Sequence, residues 1–179
     1  MTYHWFYDTP EGFSRLNLSS DGTYLTGLWF SGSRDERKHA APFGERELPV
    51  FRDTARWLDL YFTGVQPDFT PPCRIPGLTP FRKEVISAME AIPFGSTTTY
   101  GQIARTIAER RQLPKMSARA VGGAVGWNPI CIIIPCHRVV GAGGSLTGYC
   151  GGISNKIALL RLEGHDMSRF TIPSAGTVL

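Results

Sequence analysis

The chain has 179 residues, 42% of them hydrophobic and 19% charged, with a formal net charge of +4. This composition fits a globular protein of one or two domains and excludes a disordered or low-complexity chain. The longest apolar run, Ile130 to Pro135, is far too short to span a bilayer, and the opening MTYHWFYDTP lacks the basic-then-apolar pattern of a secretory signal. A cytoplasmic location with no membrane partner is therefore expected.

Charge is unevenly distributed. Residues 1–79 carry eight Lys and Arg against ten Asp and Glu, a net of −2, whereas residues 80–179 carry eleven against five, a net of +6. The basic half is compatible with a polyanionic partner and equally with a solvated basic face. The four cysteines, Cys73, Cys131, Cys136 and Cys150, include no C-x-x-C pair, and His4, His39 and His165 fall in unrelated contexts. Reduced thiols are expected, with no metal site.

In chain order, GFSRLNLSSDGTYLTGLWF holds two β-prone segments around Asp21-Gly22, a hairpin signal. After a polar stretch from Ser31 to Glu47, the residues Val50, Phe51, Ala55, Leu58 and Phe62 share one helical stripe, with Gly64 as its stop. Nothing in this third of the chain looks catalytic. Residues 65–80 include five prolines and read as an extended connector in which Cys73 is incidental. The expected division is an N-terminal α/β domain over 1–64, a proline-rich connector over 65–78 and a C-terminal domain over 79–179.

The C-terminal part opens with Thr79 as a helix cap and Pro80 in the first turn, with Phe81, Val85, Ala88, Met89 and Ile92 as the buried stripe. Pro93-Phe94-Gly95 stops that helix. Thr99 and Gln102 have the spacing of a capping box for a second helix, whose apolar face is Ile103, Ala104, Ile107 and Ala108. Leu113-Pro114 breaks it, and Ser117 caps a small-residue helix from Ala118 to Ala124 carrying one charge, Arg119. This outline is that of a helix-turn-helix, which presents its second helix to a DNA groove, or of a plain helical hairpin that packs small faces together. Arg110, Arg111 and Lys115, between the two helices, are either phosphate contacts or a solvated basic patch.

IIIPCHRVV, residues 132–140, then sets Cys136 beside His137 after what reads as a buried strand. Cys136 is either a small core residue or a nucleophile with a base at hand. Residues 139–152 contain six glycines, and with Leu146 and Tyr149 among them they predict an ordered loop lining a pocket. Ser154 opens a last helix that ends at Gly164. Glu163 on its final turn is at the wrong end of the helix dipole and asks for another reason to be there, with a surface glutamate as the default reading. Residues 165–179 read as a loose tail.

PCHRVV with the glycine-rich loop, preceded by RAVGGAVGWNP and followed by LLRLEG, resembles the O6-alkylguanine-DNA alkyltransferases, the methylated-DNA–protein-cysteine methyltransferases. The resemblance covers residues 80–164 almost continuously. It implies an α/β N-terminal domain and a mainly α C-terminal domain with a helix-turn-helix, winged-helix-like DNA-binding element. It further implies irreversible, single-turnover transfer of the alkyl group from O6-alkylguanine, and also from O4-alkylthymine, in double-stranded DNA. Cys136 would be the acceptor, His137 its base through a bridging water, Glu163 the group that polarises His137, and Asn128 the residue that fixes the turn.

The flipped base would meet Tyr100, Val139, Tyr149, Cys150 and Gly151. Arg119 would fill the gap left in the duplex, and the small surface of Ala118, Ala120, Gly122, Gly123 and Ala124 would face the minor groove. No cofactor is implied, and a monomer is expected. Many relatives carry serine or alanine where this chain has Cys150, which makes oxidation or a Cys136–Cys150 disulfide a further expectation. A helix-turn-helix regulator or lesion sensor without transfer, and a cysteine hydrolase, are the alternatives.

Overall fold

The computed structural model describes residues 1–39 and 44–172. The N-terminal part consists of β1 (Tyr3–Tyr7), β2 (Leu16–Ser20), β3 (Leu25–Phe30), α1 (Arg34–His39), β4 (Gly44–Glu45) and α2 (Pro49–Tyr61). The strands form one sheet in the order β3-β2-β1-β4, with β1–β2 and β2–β3 antiparallel and β1–β4 parallel. The Asp21-Gly22 hairpin forms through a four-residue connection. Asp21 Oδ1 accepts from the backbone N–H of Thr23 at 3.0 Å and of Tyr24 at 2.9 Å, an Asx turn that needs only local sequence. Strand β1, unanticipated, comes from the aromatic run YHWFY and exists by pairing with β2.

Helix α2 begins with Pro49 in its first turn and buries Val50, Phe51, Thr54, Trp57, Leu58 and Tyr61. The expected stripe is therefore rotated: Ala55 and Phe62 are only half-buried. Thr54 can sit inside because its hydroxyl donates to Val50 O at 2.7 Å, leaving no unpaired polar group. The proline-rich connector is extended and docked. Leu25 N–H donates to Pro72 O (2.8 Å) and Arg74 N–H to Leu25 O (2.9 Å), while Phe69, Ile75 and Leu78 pack against the core. One apolar cluster runs from Leu16 in the sheet through Met89 to Leu159.

The C-terminal part contains α3 (Pro80–Glu90), β5 (Thr98–Thr99), α4 (Tyr100–Arg110), α5 (Ala118–Val125), a 3-10 turn (Cys136–Arg138), β6 (Val139–Val140) and α6 (Ile153–Leu162). All three expected caps form. Thr79 accepts from Arg82 N–H, Thr99 and Gln102 close a reciprocal capping box, and Ser117 accepts from Ala120 N–H. Helix α4 is further tied to α3 by the two-pronged pair of Arg111 with Glu84 (2.8 and 3.1 Å), so Arg111 is engaged within the protein.

The apolar run before Cys136 is a turn, not a strand. Only Ile130 pairs, as a bridge to Leu28, and Ile132 then adopts φ 66°, a conformation costly for a β-branched residue. Helix α6 starts at Ile153 after Gly152 (φ 91°), with no cap from Ser154. Residues 165–172 are docked: Asp166 caps a short 3-10 turn, and Thr171 exchanges backbone hydrogen bonds with Gly144 and Leu146. The remainder of the expected tail, 173–179, lies outside the described residues.

Candidate active site

Cys136 is 7% exposed at the start of its 3-10 turn and is aimed by Asn128. The Asn128 amide nitrogen donates to Ile130 O (3.2 Å), Ile134 O (2.9 Å) and Cys136 Sγ (3.2 Å), and its carbonyl accepts from Ile130 N–H (3.1 Å). A single buried side chain thus closes the turn, satisfies backbone groups that a strand would have paired, and holds the thiol. This clamp is what keeps Ile132 in its strained conformation. Burial pushes the Cys136 thiol up to about 12, with Asp35 and Cys150 acting in the same direction and the Asn128 hydrogen bond and Lys156 opposing them. The resting sulfur is therefore a thiol, not a thiolate.

His137, fully buried, makes one short hydrogen bond, Nε2 to Glu163 Oε1 at 2.7 Å. Burial raises the Glu163 carboxyl, but hydrogen bonds and charge from His137 and Arg138 prevail and hold it at about 2. An ionised carboxylate only accepts, so the imidazole carries its proton on Nε2 and its lone pair on Nδ1. His137 Nδ1 is buried without a protein partner. Burial, with Arg138 and Lys156 assisting and Glu163 opposing, lowers the His137 pKa. A neutral imidazole with a free acceptor, next in sequence to a protonated thiol, is a starting state suited to a base-assisted nucleophile.

Glu163 owes its position at a helix C-terminus to these partners. Besides His137 it accepts from Arg138 Nε (2.9 Å to Oε2) and Nη2 (2.9 Å to Oε1), from Gly95 N–H (3.2 Å) and from the hydroxyl of Tyr61 (2.7 Å). Arg138 is itself saturated by Ile92 O and Gln66 Oε1. The buried charges are paired and hydrogen-bonded, the condition under which burial of ions is tolerated.

Of the expected base-contacting residues, Tyr100, Tyr149 and Cys150 lie around Cys136, while Val139 and Gly151 are buried outside the lining of its cavity. Tyr100, Asn128, Tyr149 and Cys150 line one small cavity with Cys136, of about 10 Å³, room for little more than a water molecule. A groove of about 260 Å³, lined also by Arg34, Gly122 and Gly123, shares Tyr100, Gly126, Gly148 and Cys150 with that cavity. Those four residues thus form the wall between groove and thiol, and the space beside Cys136 as it stands is too small for a purine. Tyr100 Oη donates to Thr147 O (3.2 Å) and Cys150 Sγ to Gly126 O (3.1 Å), both bracing that wall. Gly151 is buried with its carbonyl accepting from Asn155 (2.8 Å), and an added Cβ there would fall 2.6 Å from the Tyr149 ring.

Helix α5 flanks the groove. Ala118, Arg119, Ala120 and Gly123 are exposed, and Gly122 is half-exposed. Ala124 differs from its expected place: it turns inward, 6% exposed, because it is three residues past Val121 on the core stripe. Gly123 has nothing within 4 Å of where a Cβ would sit, so no internal contact requires a glycine.

Three participants escaped the sequence reading. Tyr61 comes from the stretch read as non-catalytic. Arg138 was in the motif without a role. Lys156 is fully buried, its ammonium donating to Val139 O (2.7 Å) and Thr147 O (3.4 Å), with burial pulling its pKa down to about 8. A lysine inside the apolar periodicity of NKIALL was a readable signal for it. Among the described residues no group of three or more His, Cys, Asp or Glu side chains converges as a metal site, and no helix is long and apolar enough to cross a membrane.

Comparison with known proteins agrees with this geometry. The family described as "6-O-methylguanine DNA methyltransferase, DNA binding domain" matches residues 80–165. The methylated-DNA–protein-cysteine methyltransferase of Methanosarcina acetivorans is 49% identical over 162 residues, covering 90% of this chain and 98% of that protein. The Mycobacterium tuberculosis O6-methylguanine methyltransferase crystal structure is similar with a TM-score of 0.73 at 39% identity, covering 91% and 93% of the two chains. The M. tuberculosis OGT in complex with DNA gives 0.71 at 38% identity, with 94% of each chain covered. Near-complete coverage at this identity, over both the sheet and the helical half, makes the chain a member of the methylated-DNA–protein-cysteine methyltransferase family.

Proposed function

We propose that this protein repairs double-stranded DNA by moving the alkyl group of O6-alkylguanine, and of O4-alkylthymine, irreversibly onto Cys136, acting as a cytoplasmic monomer. The observation that carries the reading is a protonated, Asn128-held thiol followed directly in the chain by a neutral imidazole whose proton is fixed on Nε2 by Glu163. Arg119 and the small residues of α5 open the duplex, and the target nucleotide rotates out past segment 148–150. The Cys136 S–H proton passes through a water to His137 Nδ1. The thiolate attacks the alkyl carbon in line with the C–O bond, so the C–S bond forms as the bond to O6 breaks. The electron pair returns to the base, which takes up one proton as His137 gives back the one it accepted, and the products are guanine, or thymine from the O4 lesion, and a thioether.

Electrostatics support this division of labour. Glu163 stabilises the imidazolium that forms, while Arg138 balances the carboxylate so that His137 starts neutral. Tyr100 stands at the groove mouth with its phenol lifted by burial, which keeps it a proton donor toward an entering base. Lys156 holds the Val139 carbonyl and steadies the pocket floor.

The test is intact-protein mass after mixing with a duplex carrying one O6-methylguanine, followed by peptide mapping. The expected result is a gain of one CH2 on the peptide containing Cys136, stopping at one per chain. Tight lesion binding with no mass gain would leave a sensor or regulator, and continued turnover would leave a hydrolase.

A further inference from the structure

We infer that Tyr61, on helix α2 of the N-terminal part, is a positioning residue for alkyl transfer, setting the basicity and tautomer of His137 through Glu163. The inference rests on the proposed transfer to Cys136. Tyr61 is 0% exposed. Its hydroxyl lies 2.7 Å from Glu163 Oε1 and 3.3 Å from His137 Nε2, within hydrogen-bond reach of both polar atoms that meet there. Because His137 Nε2 already carries a proton, the Tyr61 hydroxyl donates to Glu163 and offers only its oxygen to the imidazole. Burial and the neighbouring Glu163 carboxylate push the Tyr61 phenol upward, so that proton stays in place.

The ring has little freedom to leave. It stacks on Trp57 with centroids 5.2 Å apart and 10° between planes, and meets Phe94 and His137 edge-on at 6.0 and 6.5 Å. A rigid aromatic thus fixes where the carboxylate oxygen sits, and that oxygen fixes which imidazole nitrogen is left as acceptor. The other charged or titratable groups around the pair are Arg138, beside His137 in sequence, Lys156 from α6, and His165 just past it, with Gly95 N–H capping the far oxygen. Tyr61 is the one contribution from the N-terminal part among these described groups, which gives α2 a chemical task besides packing.

Removing the hydroxyl leaves the carboxylate less satisfied and a stronger partner for a protonated imidazole, so the His137 pKa rises. The acid limb of the transfer rate, set by the fraction of neutral His137, then moves to higher pH. In Tyr61→Phe the second-order rate with a lesion duplex should fall on the order of tenfold at a fixed pH on the acid limb, the fall that a tenfold stronger proton affinity of His137 gives there. Affinity for the same duplex, measured on a Cys136→Ser background, should not change.

Incorporating 3-fluorotyrosine at position 61, which keeps ring and hydroxyl but donates more strongly, should move the limb to lower pH without unfolding the chain. The 15N resonances of His137 should show the Nε2–H tautomer in the wild type and a raised titration midpoint in Tyr61→Phe. A purely structural role predicts a lower Tm with the acid limb and the His137 midpoint unmoved, and that result overturns the inference. Should the wild type transfer nothing, the functional reading fails, and the His137 titrations still decide whether Tyr61 tunes the imidazole.

Discussion

The two regions that meet at Cys136 are built on opposite logic. Around His137 and Glu163 nearly every polar atom has an internal partner, so each residue type there is accounted for by its neighbours. Along α5 the reverse holds: Arg119 is exposed, and Gly123 is a helix glycine with open space around it. Such a glycine weakens the helix by about 1 kcal/mol relative to alanine and gains nothing inside the molecule. On the proposed reading, the network explained from within performs the chemistry, and the surface that costs stability for no internal return is the one that DNA docks on.

The largest test of that contrast is Cys136→Ser, which should abolish transfer entirely while lesion duplex still binds through α5, as read by mass and by fluorescence anisotropy. Next comes Glu163→Gln. It leaves Arg138 buried without a counter-charge, and a loss of about 3–5 kcal/mol in urea unfolding is expected, with transfer falling far below wild type.

The same variant changes the acid response. In the folded protein the Glu163 carboxyl is held at about 2, below its ordinary 4.5. A depressed carboxyl contributes stability that is full above the ordinary value and is lost as pH falls from about 5 toward 2. His137, whose pKa is lowered, adds acid lability beginning below its ordinary 6.5. Wild-type Tm should therefore fall steeply across that range, and the part between 5 and 2 should flatten in Glu163→Gln.

Effects on the outer region should be smaller and of a different kind. Arg119→Ala should leave stability within about 0.5 kcal/mol yet slow repair of duplex lesions much more than of the same lesion in single strands, where no gap needs filling. Gly123→Ala sharpens the comparison most. It should raise helix stability by up to about 1 kcal/mol, because its Cβ meets nothing, and weaken duplex binding by about 1–3 kcal/mol through overpacking at a close contact. A stabilised Gly123→Ala that binds as well as wild type would remove the case for close docking at that position.

What could be read from sequence follows the range of each interaction. The caps at Thr79, Thr99 and Ser117 and the hairpin at Asp21-Gly22 were legible because each is settled within four residues. Cys136, His137, Asn128 and Glu163 were legible as a motif, but their partners were not: Tyr61 lies 102 residues from Glu163 and falls outside the stripe expected for its helix. The run Ile130–Ile134 read as a strand because short apolar runs do not reveal their backbone. Asn128 instead satisfies that backbone and bends it into a turn. The stripe of α2 was misjudged by about one position, since Thr54 is buried through a hydrogen bond to its own helix that hydropathy does not register.

The docking of the segment before Cys136 onto the sheet equips the molecule with its own sensors. Strand β3 ends the sheet, and its outer edge is covered by two different passengers. Leu28 N–H donates to Pro129 O in the segment leading to the thiol, and Leu25 N–H donates to Pro72 O in the connector. Each amide is sheltered from solvent deuterium only while its own passenger stays seated. Hydrogen exchange at these two positions, three residues apart on one strand, therefore reports separately on the reactive segment and on the tether between the halves. Comparing them before and after reaction tells whether a spent molecule loosens at the seat of chemistry first or comes apart along its whole seam.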